Sequence, residues 1–204
     1  MKSQKASARV ISSKTVFQGR VFSVVSDDVQ EPDDVRAVRE VVRHSGSIVI
    51  LPVDESGPEP LVLLERQFRY AANERLWELP AGRIEPGEQK LAAAKRELLE
   101  ETGYSAAKWQ PALSFYVSPG FMDEVMHVYL ARKLKEGVAQ PEADERISSR
   151  FFPLSQALKM ALSGKIQDAK TIASVLWLDQ KLNKTQKPQK TKQPQKSKKP
   201  TKRR

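Results

Sequence analysis

Glu88, Arg96, Glu97, Glu100 and Glu101 all fall within one stretch, GRIEPGEQKLAAAKRELLEETGY, running from Gly82 to Tyr104. From about Glu88 to Thr102 it is rich in Ala, Leu, Glu and Lys, with no β-branched residue before Thr102. Gly103 stands where a helix is closed by a left-handed glycine, so the spacing predicts a helix. On it Glu97, Glu100 and Glu101 share one arc, while Leu91, Ala92, Leu98 and Leu99 lie on the opposite arc. The apolar arc is expected to dock and the acidic arc to face outward, with Ala93 leaving room for a ligand among the carboxylates. Like charges one turn apart repel, and a cation relieves that repulsion. All-oxygen ligation suits a hard ion, Mg²⁺ first and Mn²⁺ as a substitute, with phosphates and waters completing the shell. Bridging a diphosphate, such an ion would neutralise its charge, acidify a water and stabilise the leaving phosphate: metal-assisted phosphoanhydride hydrolysis.

A bare Glu-Glu-x-Gly is usually only a solvated helix. Here Arg96 adjoins the acidic face and can hold a glutamate through a bidentate pair, and Gly82, Glu85, Pro86, Gly87 and Glu88 form a turn-rich lead-in able to fold back on the helix.

The elements that must position this helix surround it. Apolar runs predict strands at Thr15 to Val25, Ala37 to Val42, Ser47 to Val53, Leu61 to Arg66, Leu113 to Val117, Met126 to Leu130 and Ile147 to Phe152. Asp54 to Pro60 reads as a turn. Two further helices are predicted, Leu154 to Leu162, stopped by Gly164, and Asp168 to Leu182, with Asp168 as N-cap. Strands mixed with helices imply an α/β layered fold.

Composition divides the chain. The formal net charge is +10, and ten Lys or Arg with no acid lie between Lys184 and Arg204, leaving residues 1–183 with 25 charges of each sign. That tail has no apolar residue beyond Pro, so disorder is expected, with weak nonspecific polyanion binding. It has no aromatic residue on which bases could stack, which disfavours a dedicated nucleic-acid module. There is no Cys, and His44 and His127 are the only histidines, which excludes disulfides, thiol nucleophiles and Cys- or His-rich metal sites. No apolar run is long enough to span a bilayer or to serve as a signal peptide, so no membrane association and a cytoplasmic location are expected.

The Gly82 to Tyr104 pattern resembles the signature of the Nudix hydrolases without a departure. The resemblance covers roughly Val16 to Asp179, and the stretches LLERQFRYA, WELPAGRIEPGE, YVSPGFMDEVMHVYLA and GKIQDAKTI resemble the ADP-ribose pyrophosphatase branch. Pro119 stands about sixteen residues past the box, where that branch has a proline. The resemblance implies an α/β/α sandwich with a mixed sheet, a β-rich extension over residues 1–46 and a catalytic domain over 47–183, followed by the compositionally distinct tail over 184–204. It implies a homodimer, with the extension as dimerisation region.

The expected substrate is ADP-ribose or a related nucleoside diphosphate sugar, split to a nucleoside monophosphate and a sugar phosphate. GDP-mannose and RNA 5′ ends are the alternatives. By the same resemblance Ala81 (through its carbonyl), Glu97, Glu100, Glu101 and Glu145 hold metal. Arg69 contacts phosphate or ribose, Arg39 and Glu40 contribute substrate contacts from a strand that can serve the other subunit's site, and Ser118, Pro119, Gly120 and Glu124 line the terminal ribose. One position departs: relatives often carry Glu-x-Glu-x-Ile before the last strand, and here Ala143 occupies the first place. Glu145 fits the second, and Glu142, Asp144 or Glu100 is left to activate water.

Overall fold

The computed structural model describes residues 7–140 and 146–186. A three-stranded antiparallel sheet comes first, built from β1 (Arg9–Gln18), β2 (Phe22–Gln30) and β3 (Arg36–His44). The main sheet holds β4 (Ser47–Asp54), β5 (Leu61–Arg69), β6 (Glu74–Glu78), β7 (Ala81–Arg83), β8 (Tyr104–Tyr116), β9 (Val125–Glu136) and β10 (Ser148–Pro153). Its order is β10-β5-β4-β9-β8, with β6 on β5 and β7 on β4. The β4–β9 pair is parallel and the others are antiparallel, which makes the sheet mixed as expected.

Helices cover both faces. Along β4 the side chains alternate between two cores: Val49, Leu51 and Val53 pack with α2 (Leu154–Leu162) and α3 (Ala169–Gln186), and Ile48 and Ile50 pack with α1 (Lys90–Thr102). A strand buried on both faces needs an uninterrupted apolar run, and β4 reads SIVILPVD. This is the α/β/α sandwich.

β4 and β5 pair only at Val53–Val62 and Asp54–Leu61, then part. The fork is filled by β6 and β7, joined through Leu79 and Pro80, and Ile50 N–H donates to Pro80 O at 2.8 Å. Neither short strand was expected, because WELPAGR carries a proline and a glycine that read as punctuation. Thr15 to Val25, expected as one strand, is a hairpin instead: Gly19 N–H donates to Phe22 O at 3.0 Å, and the chain reverses between β1 and β2. β8 begins nine residues before the expected Leu113. Its Pro111 sits on the sheet edge beside a bulge, where a missing donor is tolerated.

The docking arc of α1 is rotated from the expected one. Ala93, Ala94, Glu97, Leu98, Glu101 and Thr102 are buried, whereas Leu91 and Leu99 are 37% and 45% exposed and Ala92 is exposed as well. Two alanines let the helix lie close on Ile48 and Ile50, which draws the adjoining carboxylates inward with them. Ala93 therefore belongs to the core. Toward the C-terminus, α3 continues to Gln186, past the expected helix end at Leu182. Residues 187–204 lie outside the described residues.

Candidate active site

Glu97 lies against the backbone of β7 at Gly82. A methyl at Gly82 would occupy the place of the Glu97 carboxylate, so the glycine that opens the motif is needed to let an acid lie on a strand. One turn on, Glu101 Oε2 accepts from Ala81 N–H at 3.0 Å. The unexpected strand β7 is thus what turns both glutamates inward.

Arg96 organises the rest. Its Nε and Nη2 donate to the two oxygens of Glu88, each at 3.0 Å, and Nη1 donates to Glu97 Oε1 at 2.7 Å and Glu100 Oε2 at 3.0 Å. Nη2 also meets Arg83 O at 3.2 Å, tying the lead-in to the helix. Hydrogen bonding to Arg96 holds the Glu88 carboxyl below its usual range, and the same bonds raise Arg96 against the effect of burial. The turn-rich lead-in folds back as predicted, with Glu88 N–H on Glu85 O at 2.9 Å.

Arg96, Glu97, Glu100 and Glu101 line a cavity of about 330 Å³ together with Ser47, Arg69, Ala81, Gly82, Arg83, Glu85, Met126 and Lys170. One side carries Glu97, Glu100 and Glu101; Arg69, Arg83, Arg96 and Lys170 supply cations to the same space. Among the described residues no three acidic or imidazole side chains close on one point as a finished metal cage. The wall is open: two inward-turned carboxylates, a third beside them, and a glycine cradle holding one of them. That donor set fits a hard cation that takes one or two protein carboxylates and completes its shell from substrate and water.

A second cavity, of about 400 Å³, lies between the N-terminal sheet and the loop before β9 and is lined by Glu31, Arg39, Glu40, Val41, Tyr116, Pro119, Gly120, Phe121, Met122 and Asp123. Arg39 is paired there with Glu31 at 2.7 Å. The Ser118 carbonyl accepts from Phe121 and Met122 N–H at 3.2 and 2.9 Å, forming the turn that carries Pro119 and Gly120. Glu124 lies toward the first cavity, where its Oε1 accepts from Ser47 Oγ at 2.5 Å. The expected substrate residues are therefore divided within one chain: Arg69 lines the first cavity, and Arg39, Glu40, Pro119 and Gly120 line the second. Glu142 and Glu145, with Ala143 and Asp144, lie outside the described residues.

Sequence reasoning singled out neither Lys170 nor Glu78. Lys170 Nζ lies 2.5 Å from Glu78 Oε2 and 3.0 Å from Asp168 Oδ1, while Arg69 grips both oxygens of Glu78 at 2.9 Å. Burial pushes the Glu78 carboxyl up, but hydrogen bonds from Arg69 and the charge of Lys170 outweigh it and leave it below its ordinary range. The signal was a lysine in the first turn of a helix, at the positive end of its dipole, where a cation needs anionic partners. Asp168 is the expected N-cap: its Oδ2 accepts from Thr171 N–H at 3.0 Å.

Comparison with known proteins identifies relatives of this chain. A family model described as NUDIX domain matches residues 42–175. An ADP-ribose pyrophosphatase of Bacillus subtilis is 36% identical over 175 residues, which cover 85% of this chain and 93% of that protein. Another, of Mycobacterium tuberculosis, is 39% identical over 170 residues, covering 81% of this chain and 80% of that one. A solved structure described as an ADP compounds hydrolase superposes with a TM-score of 0.75 over 90% of this chain and 99% of its own, at 21% identity, and shows the same fold.

Proposed function

The chain belongs to the NUDIX family, and from that premise we propose that it hydrolyses the diphosphate of ADP-ribose, or of a closely related nucleoside diphosphate sugar, to AMP and ribose 5-phosphate or their counterparts. The observation that carries the reading is the bipolar first cavity, with Glu97 and Glu101 turned in against β7 and four cations lining the same space.

In this reading Arg69 brings positive charge to the diphosphate oxygens, and Arg96 keeps Glu97 and Glu100 in fixed rotamers. Water adds its oxygen to one phosphorus, the P–O bond to the bridging oxygen breaks, and the departing phosphate keeps the electron pair. The water's proton goes to a carboxylate: Glu100 among the described residues, or Glu145 or Glu142 outside them. Glu97, Glu101 and the Ala81 carbonyl would hold Mg²⁺, or Mn²⁺ in its place, which supplies charge neutralisation and a more acidic water when bound. Arg39, Glu40, Ser118, Pro119, Gly120 and Glu124 recognise the groups flanking the diphosphate. Because Arg39 and Glu40 line a separate cavity, the reading includes a homodimer in which one subunit's N-terminal sheet serves its partner's site. Val10, Val16 and Phe17, each at least half exposed on β1, offer an apolar face for that contact. No helix among the described residues is long and apolar enough to cross a membrane. A cytoplasmic enzyme whose basic tail binds polyanions weakly completes the proposal.

The test is turnover of a panel of ADP-ribose, ADP-glucose, GDP-mannose and triphosphate-ended RNA with Mg²⁺, with products resolved by chromatography. AMP and ribose 5-phosphate should appear fastest, from ADP-ribose. Preference for GDP-mannose would move the substrate assignment, and preference for RNA ends would overturn it.

A further inference from the structure

Lys170 is 6% exposed and Glu78 is 1% exposed, and both sit beside the cavity without belonging to the motif that builds its acidic wall. A buried lysine at the start of a helix faces two costs, desolvation and the positive end of the helix dipole. Here two carboxylates offset both: Asp168 from the cap of α3 and Glu78 from β6. Glu78 in turn is shared. Its Oε2 accepts from Lys170 and from Arg69 Nη2, while Oε1 accepts from Arg69 Nε. The fork of Arg69 is thereby fixed along one edge, in the bidentate geometry that allows a guanidinium least freedom. Nη1 makes no hydrogen bond among the described residues, and Arg69 lines the cavity.

We infer that Lys170 and Glu78 are positioning residues for Arg69: the ion chain from Asp168 through Lys170 and Glu78 fixes the plane of the Arg69 guanidinium, so that its remaining donors meet the diphosphate already oriented. The inference rests on the functional reading above. Its physical content is preorganisation. A guanidinium held before the ligand arrives loses no rotamer freedom on binding, and the benefit appears in affinity.

A double-mutant cycle tests this, read by KM and kcat with Mg²⁺ and by calorimetric binding of ADP-ribose in metal-free buffer. Lys170→Met should raise KM and the metal-free Kd roughly tenfold while kcat changes less than about threefold. In an Arg69→Ala background the same change should add less than about twofold, because the group being positioned is gone. Equal losses in both backgrounds would overturn the inference and make Lys170 a ligand contact of its own. The variant E78Q/K170M removes the buried pair together and should keep the melting temperature; a wild-type KM in that folded variant would also overturn the inference. A wild-type protein that turns over no nucleoside diphosphate sugar overturns the functional reading, and the inference with it; turnover with non-nested losses overturns the inference alone.

Discussion

The two cavities differ in how they are made. The first draws its acidic wall and Arg96 from one uninterrupted stretch, Gly82 to Glu101, locked by hydrogen bonds along the helix and onto the adjacent β7. The second joins a strand of the N-terminal sheet to a turn some eighty residues later, through Val42 N–H on Phe121 O at 2.8 Å and Asp123 N–H on Val42 O at 3.1 Å. Catalytic carboxylates tolerate little displacement, and a rigid local frame supplies that; a recognition surface tolerates more and can be assembled from distant parts. The first cavity should therefore respond sharply to small changes, the second gently to larger ones.

Glu101→Gln keeps the size of the side chain and removes its charge. Turnover should fall at least about 10²-fold with the melting temperature retained, and near-normal turnover would remove the acidic wall from the mechanism. Gly82→Ala should cost roughly ten- to a hundredfold in kcat by displacing the Glu97 carboxylate. An unchanged kcat would show that the close packing of strand on acid is dispensable. Arg39→Ala, in the second cavity, should raise KM about three- to tenfold with kcat nearly constant. If kcat falls as far as in Gly82→Ala, the contrast between the cavities is wrong. Ending the chain at Gln186 should change ADP-ribose hydrolysis by less than about twofold, and any larger loss would tie the basic tail to the site.

What could be read from the sequence follows the same division. Glu97, Glu100, Glu101 and Arg96 were legible because a helix converts spacing directly into a shared face. The direction of that face was not legible: Leu99 looked like core and is 45% exposed, because the sheet selects the arc with the smallest side chains. β4 announced itself as a strand by its unbroken apolar run. β6 and β7 did not, since their pairing depends on a fork between β4 and β5 that exists only in three dimensions. Lys170 and Glu78 lie ninety-two residues apart, and no local pattern joins them. Arg39 and Pro119 were each legible singly, and their common cavity only after folding.

The parallel pairing of β4 with β9 sets an order of events on the growing chain. Ser47 finds its partner at Met126, and Leu79 N–H finds its acceptor at Thr171. The stretch carrying Glu97 and Glu101 is therefore synthesised, and free to form helix, well before the strand that completes the sheet beneath it. Such distant pairings form slowly because a long loop must close first. During that interval the apolar strand β4 waits without β9, and the charged side chains of the helix beside it help keep in water a nascent chain that is otherwise inclined to stick.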